Sequence, residues 1–392
     1  VVDDIKSSAY SVTLSSPIDY SRTILYPEKD YFIIIDRLEG SESWIYRNVF
    51  RPASLNINPS TDRDEASVGH VNGELWFGDI SYDWLSLPYN VETATGIISN
   101  DFNWQTTNPY GNDILFHLYT APASEIIVSK RVGRVGGYNV ANEVFSPNIY
   151  FRSEPMENQY RVVALLSRYI DEEEKKAEEI SVTGNGNAIK VISTEYIDYT
   201  YTGKGHSTFE SIATDADTVY MRMMNSSDDL SLTMIGGTFV RDESGTFLQS
   251  SEEIGYLTLQ QEEMKTQINL KICSGATIAL RMYGFHVNEV LKDGVSFSYW
   301  SQDENSDVLI INSAQGEHTY EIHYTEDHPT PTVTGDLNNN GEVDIGDVMM
   351  VSYMVAGLIE EDLSADFNGN GYVDVGDAAK INRFFLGLVE EL

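Results

Sequence analysis

One cysteine, Cys273, stands in a chain of 392 residues. Without a second thiol there can be no disulfide framework and no cysteine-ligated zinc site. Its place in the apolar run Ile272-Cys273-Ser274-Gly275-Ala276 predicts a small buried hydrophobe. Positive charge is scarce too: 25 Lys and Arg face 61 Asp and Glu, a formal net charge of -36. A negative field of that size repels nucleic acid and anionic lipid at long range, and no basic groove is visible to overcome it, so no nucleic-acid partner is expected. No stretch approaches the roughly 20 apolar residues needed to cross a bilayer, so no membrane insertion is expected. Beginning at Val1 without a methionine or signal-like segment, the sequence reads as a processed or excised piece, upstream of which a catalytic region could stand. A Gly-x-Ser-x-Gly elbow, a phosphate loop and a His-Glu-x-x-His pair are also missing.

What is present is material for a core: 41% hydrophobic residues, with 24 Tyr, 15 Phe and 5 Trp. Up to residue 326 the pattern is short β-branched and aromatic runs, such as Tyr31 to Ile35, Ile114 to Tyr119, Val162 to Leu166 and Ile268 to Ile272, broken by Gly, Asn, Asp and Pro. This spacing predicts a mainly β chain, a large antiparallel β-sandwich region. No long amphipathic helices alternate with the strands, which excludes a doubly wound nucleotide fold. The charged stretch Asp171 to Glu179 has no apolar stripe and reads as a solvated loop or short surface helix. Residues 1–219 are assigned to the sandwich and 220–326 to a second sandwich or its continuation, with hairpin turns expected at Lys292-Asp293-Gly294 and Gln315-Gly316-Glu317. Two prolines among threonines mark a stiff linker over 327–334.

After the linker the sequence repeats at an offset of 30 residues. Gly335-Asp336-Leu337-Asn338-Asn339-Asn340-Gly341-Glu342-Val343-Asp344-Ile345-Gly346-Asp347 returns as Ala365-Asp366-Phe367-Asn368-Gly369-Asn370-Gly371-Tyr372-Val373-Asp374-Val375-Gly376-Asp377. Each copy holds a twelve-residue loop of hard oxygen donors. Positions 1, 3 and 5 are Asp336, Asn338 and Asn340, then Asp366, Asn368 and Asn370; Gly341 or Gly371 at position 6 permits the sharp turn. Glu342 or Tyr372 offers a backbone carbonyl, Asp344 or Asp374 acts through water, and Asp347 or Asp377 closes the shell. This donor number suits Ca²⁺ over Mg²⁺, two ions in all, and without the metal the clustered aspartates repel, so folding is expected to be coupled to binding. An apolar stripe follows each loop: Val348, Val351, Met354, Val355 and Leu358, then Ala378, Ile381, Phe384, Phe385 and Leu388, with Gly357 and Gly387 placed as C-caps. Two such helices would form an EF-hand-like domain of about 60 residues stapled by metal.

Residues 335–392 resemble a dockerin, in the form found in methanogenic archaea, ending Val-Asp-hydrophobic-Gly-Asp. The resemblance implies calcium binding, a cohesin module as partner in a cellulosome-like assembly, and a secreted or cell-surface location. It also places Ile345, Gly346, Tyr353, Val375, Gly376 and Arg383 at the cohesin, with Tyr353 against Arg383 breaking the equivalence of the two halves. A second set of strands, Arg22 to Pro27, Tyr31 to Leu38 and Arg161 to Tyr169, resembles the β-sandwich region of heparinase II/III-like and alginate-lyase-like polysaccharide lyases. That implies a carbohydrate-associated accessory region whose catalytic Tyr and His belong largely to an upstream helical toroid.

For catalysis in the β region, His70 and His206 are candidates because both stand in Gly-rich stretches read as loops, whereas His117, among apolar neighbours, reads as a satisfied sheet histidine. Trp76, Trp84 and Trp104, with Tyr110, could stack on sugar rings; the competing reading is core packing. The sequence thus supports a carbohydrate-associated protein tethered through a calcium-dependent dockerin, with polysaccharide a possible second partner; the alternative is a binding or adhesive surface protein without catalysis.

Overall fold

The computed structural model describes residues 16–52, 70–71, 73–107, 113–134, 143–226, 229–242, 245–262, 264–282, 285–302 and 308–326, then 335, 337, 343, 345–356, 359, 362–385 and 388–389. The sheets make one compact unit as far as residue 323; the segment from residue 324 belongs to a second, together with short pieces around Phe285 and Gln302.

The first sandwich is built from β1 (Ile18–Leu25), β2 (Phe32–Trp44), β3 (Arg47–Phe50), β4 (His70–Val71), β5 (Glu74–Phe77), β6 (Ile80–Asp83), β7 (Glu92–Thr107), β8 (Asp113–Arg134), β9 (Glu143–Arg152) and β10 (Met156–Tyr169). Strands β7 and β8 are long and change partners along their length. Ile114–Ala121 of β8 pairs with β10, while Glu125–Arg134 pairs with β9, and β7 shifts register between Ala94 and Ile98 and between Ser99 and Asp101. The two strands therefore serve two layers, β1-β2-β10-β8-β7-β5-β6 and β3-β9-β8-β7. Between the layers lie Phe77, Trp84, Phe102, Trp104, Leu118, Ile126, Val128, Phe151 and Val163. The rings of Phe77, Phe102, Trp104 and Phe116 stack in series at 5.7, 5.0 and 4.8 Å.

Two charged residues, Asp36 and Arg161, are buried in this core, with Arg22 joining them from the exposed edge strand. Arg22, Asp36 and Arg161 stand opposite one another on β1, β2 and β10. Asp36 accepts from Arg22 Nε at 2.6 Å and from Asn48 Nδ2 at 2.7 Å; Arg161 donates to Asn48 Oδ1, Thr120, Ser124 and the Pro122 carbonyl at 2.6 to 2.9 Å. Burial pushes the Arg161 guanidinium down to about 10, opposed by Asp36, and the four hydrogen bonds it donates are what make so buried a cation tolerable.

The second sandwich comprises β11 (Lys176–Ile180), β12 (Val182–Ile192), β13 (Tyr196–Phe209), β14 (Ile212–Thr214), β15 (Thr218–Met224), β16 (Leu230–Ile235), β17 (Phe239–Asp242), β18 (Gly245–Ser250) and β19 (Ile254–Glu262). It continues with β20 (Lys265–Ile272), β21 (Ala276–Arg281), β22 (Phe285–Lys292), β23 (Val295–Ser296), β24 (Trp300–Gln302), β25 (Val308–Ser313) and β26 (Gly316–Glu326). Its strand path pivots on β13, whose first half pairs with β15 and whose end pairs with β14. A Cβ on Gly203 would fall 2.1 Å from the Tyr201 hydroxyl and 2.3 Å from the Asn185 carbonyl, so glycine is required where β12 and β13 close on that ring.

A boundary at 219/220 would cut through β15, which pairs with β13; the change of sheet instead falls between Tyr169 and Lys176. Lys176–Ile180, expected in a loop or surface helix, is the edge strand β11, its charges facing water at an otherwise unpaired sheet edge. Asp293-Gly294 is the expected hairpin turn, with positive φ at both residues joining β22 to β23. Gln315-Gly316-Glu317 instead links β25, paired with β21, to β26, paired with β20. Cys273 is exposed rather than buried: alternation along β20 carries Ile268, Leu270 and Ile272 inward, and the cysteine falls in the bend beyond the strand end.

The two sandwiches share an interface. Tyr31, Ile33, Ile35, Ala121, Val162, Ala164 and Leu166 pack on Ile189, Val191, Tyr196 and Tyr220. Beside them Arg222 forks onto Asp198 at 2.8 and 2.7 Å, Tyr31 donates to the same carboxylate at 2.5 Å, and Arg222 lies 3.7 Å above the Tyr196 ring.

In the C-terminal segment α1 (Ile345–Val355) and α2 (Val375–Phe385) pack on each other. Val348, Val351, Met354 and Ile381 are buried with Ala365, Phe367 and Val373; Phe385 and Leu388, expected in the stripe, are exposed. The linker over 327–334, Leu358 and the two proposed capping glycines lie outside the described residues.

Candidate functional site

The second loop is described throughout, and its backbone is folded around its own acidic side chains. Asp366 accepts from the amides of Asn370 and Gly371 at 3.0 and 2.7 Å; Asn368 Oδ1 accepts from Asn370 N and Asn370 Oδ1 from Tyr372 N, both at 3.0 Å. The turn needs Gly371 at φ 92°, left-handed territory that glycine enters without a Cβ clash. Asp374 and Asp377 then form a reciprocal cap on α2: Asp374 Oδ1 accepts from Gly376 N at 2.6 Å, and Asp377 Oδ2 reaches back to Asp374 N at 2.9 Å. Hydrogen bonds from Asn370 and from the Gly376 amide hold the Asp374 carboxyl below the usual carboxylate range. Asp377 is fully buried, its second oxygen taking Asn368 N at 2.8 Å.

These residues fit a hard cation. Three carboxylates, two amide side chains and the Tyr372 carbonyl belong to one loop, and the donors are oxygens. No three Asp, Glu, His or Cys side chains come together in metal-holding geometry among the described residues; this donor set draws on Asn368 and Asn370 as well. Of the first loop, Asp336, Asn338, Asn340, Glu342 and Asp344 lie outside the described residues. Its closing Asp347 is buried at the same helical position as Asp377 and accepts from Leu337 N at 2.8 Å.

The outward faces of the two helices correspond. On α1, Ile345, Met349, Ser352 and Tyr353 are exposed; thirty residues on, so are Val375, Ala379, Asn382 and Arg383. Val375 and Ile345 are 71% and 55% exposed, unusual for aliphatic residues, and beside Val375 a Cβ on Gly376 would fall 2.8 Å from Asp374 Oδ1 and 2.9 Å from Asn368 Nδ2, so glycine lets the loop close on the helix start. Met349, which the loop motif could not point to, joins this face through its spacing of four from Ile345.

In the β region the three tryptophans separate. Trp84 is fully buried and Trp104 nearly so, both in the core of the first sandwich: alternation along β7 carries Trp104 inward, and Trp84 turns in from the bend just after β6. Trp76 points the other way, half-buried, across from Asn103. Tyr110 lies outside the described residues. His70 and His206 are on strands β4 and β13 of different sandwiches, not in loops, and the structure does not bring them together. His206 is exposed, 5.6 Å from the Phe239 ring; of His70 only the backbone pairing with Thr107 is described.

His117 is on a sheet strand as expected, but it is not a satisfied histidine. It faces a cleft of about 330 Å³ lined also by Trp76, Asn103, Gln105 and Arg168. Its Nε2 lies 2.7 Å from Asp101 Oδ1 without hydrogen-bond alignment, and its Nδ1 makes no hydrogen bond. The strand Phe102-Asn103-Trp104-Gln105 carried a signal in its strict alternation of aromatic and amide, which puts the amides on the face opposite the core. A larger cleft of about 970 Å³ lies beside it, with Arg168 and Glu173 to Lys175 in common. Two of its cations are committed: Lys175 to Asp30 at 2.9 Å and Arg222 to Asp198 at 2.7 Å.

Among the described residues no helix is long and apolar enough to cross a membrane. No curated protein matches the chain significantly. Residues 334–386 match the family described as the dockerin type I domain. Dockerin type I domains are generally calcium-binding and take a cohesin as partner, which accords with the oxygen-lined turn and the paired helical faces. The chain therefore carries a dockerin type I module at 334–386, behind two β-sandwiches.

Proposed function

We propose that this protein is a secreted or cell-surface component that docks onto a cohesin-bearing scaffold through two calcium-loaded loops and carries a carbohydrate-associated β region with it. The observation that carries the reading is the second loop, where Asp366, Asn368, Asn370, the Tyr372 carbonyl, Asp374 and Asp377 supply oxygens around a turn already shaped by glycine. Asp336, Asn338, Asn340, Glu342, Asp344 and Asp347 supply the same set in the first copy. Calcium there would offset the carboxylate repulsion that otherwise opposes folding of the segment. The cohesin then meets Ile345, Gly346 and Tyr353, or in the reversed orientation Val375, Gly376 and Arg383. Calorimetric titration of the full chain with Ca²⁺ tests this: two ions bound is the expected stoichiometry, reduced to one by Asp366→Ala; absence of binding contradicts the reading.

For the β region, an accessory part of polysaccharide-lyase type rests on the strand resemblance alone. Ultraviolet-absorbing unsaturated products from uronate polysaccharides would support it. A region that binds carbohydrate without catalysis is favoured by the separation of His70 from His206 on different sandwiches.

A further inference from the structure

We propose that the outer face of the first sandwich, where β5, β7, β8 and β10 run side by side, is a binding subsite for a neutral saccharide. Register places Trp76 opposite Asn103, Asn103 opposite His117 and His117 opposite Leu166, so the four form one row across four strands on one face. From Trp76 to His117 is two strand spacings, about 10 Å. In the next row Gln105, Leu115 and Arg168 stand in line.

This face is partly roofed. Over β2 and β10 the second sandwich covers it, and that cover ends at β11, where Glu179 N donates to the Tyr119 hydroxyl at 2.9 Å and Asn100 donates to the Glu179 carboxylate at 2.5 Å. Beyond that edge the face opens into the cleft of about 330 Å³, walled by Glu173, Glu174 and Lys175. The volume is at the lower end of the range for small-molecule sites, about 300 to 1,000 Å³, and suits a mono- or disaccharide unit of a chain.

The chemistry of the lining selects the ligand class. Trp76 offers a flat apolar ring at the cleft, complementary to the C–H face of a pyranose. Asn103 donates one amide N–H to Asp101 Oδ1 at 2.9 Å and keeps its second N–H and its Oδ1 for a ligand's hydroxyls, while His117, its Nε2 2.7 Å from the same Asp101 oxygen, lines the cleft between Asn103 and Leu166. The cations do not select an anion. Arg168 Nη1 is turned to the carbonyls of Tyr169, Ile170 and Glu172, its Nη2 lies 3.7 Å from Glu174, and Lys175 is paired with Asp30. With Glu173 and Glu174 on the wall and a net charge of -36, a uronate chain would be repelled where a neutral one is not. The inference does not depend on the tether: loss of calcium or cohesin binding would leave it standing.

Affinity electrophoresis of the full chain in calcium buffer tests it, in gels containing mixed-linkage β-glucan, xylan or galactomannan, and in parallel gels containing alginate or polygalacturonate. The expected result is retardation in at least one neutral gel, weakened about tenfold by Trp76→Ala, weakened also by Asn103→Ala and His117→Ala, and unchanged by Tyr299→Ala, an exposed aromatic elsewhere. Circular dichroism of each variant checks that the fold is kept. No retardation in any neutral gel, retardation confined to the uronate gels, or wild-type affinity in a folded Trp76→Ala variant would each overturn the proposal.

Discussion

Trp76 and Trp84 sit eight residues apart in one aromatic stretch, yet one lines a cleft and the other is fully buried. Truncating Trp84 to Ala should cost about 3 to 5 kcal/mol in urea unfolding, because the cavity among Leu75, Phe102 and Ile126 cannot collapse. Trp76→Ala should cost about 0.5 kcal/mol or less, as its face is not core. Nothing in the local sequence distinguishes the two; Trp76 alternates with Leu75 and Phe77 of β5 onto the face away from the core, while Trp84, in the bend after β6, turns into it. The same holds for His117, whose apolar neighbours lie on the opposite face of its strand. Asp36 presents the converse case. Asp36→Ala leaves Arg161 buried without its nearest countercharge, and a loss of about 3 to 5 kcal/mol is expected in the same measurement.

At the scale of elements, the C-terminal repeat was legible because its geometry is local: ligand spacing, turn glycine, cap and helix lie within 22 residues of one another. The Asp374/Asp377 capping box makes the loop and α2 one device, so Asp374→Ala in chelator should lower the segment's helical circular dichroism signal, with Asp374→Asn largely preserving it. The sheets were legible as strands but not as pairings. β2 and β10 meet across more than a hundred residues, and the division of β8 between two layers depends on partners the local pattern does not encode. Glu39 of β2 ties the sandwiches together through Lys204 at 2.5 Å, and it also holds Arg37 at 2.8 Å. Burial would raise its pKa, but these two cations outweigh it and hold the carboxyl below the usual carboxylate range. A folded pKa below the unfolded value gives stability that is complete above about 4.3 and lost as pH falls through the folded value. The stability difference between wild type and Glu39→Gln should therefore shrink on acidification; a difference constant with pH would contradict this.

Across the whole molecule, the acidity divides into two parts with different consequences. The segment from 335 holds 12 Asp and Glu against Lys380 and Arg383, and most of that charge lies in or beside the loops, where metal would offset it. The remaining 49 acids and 23 bases are spread over the β region, where they favour solubility and disfavour polyanions. Scarcity of positive charge thus makes a polyanion an unfavourable ligand for the sandwiches and a cation a favourable one for the C-terminal loops. The most direct measurement is binding of the full chain to a panel of immobilised cohesins, by interferometry, in calcium and then in EGTA. Binding to at least one cohesin in calcium, abolished by EGTA and strongly weakened when Asp336→Ala and Asp366→Ala are combined, is the expected result; binding that survives EGTA, or none to any cohesin with calcium bound, would contradict the account.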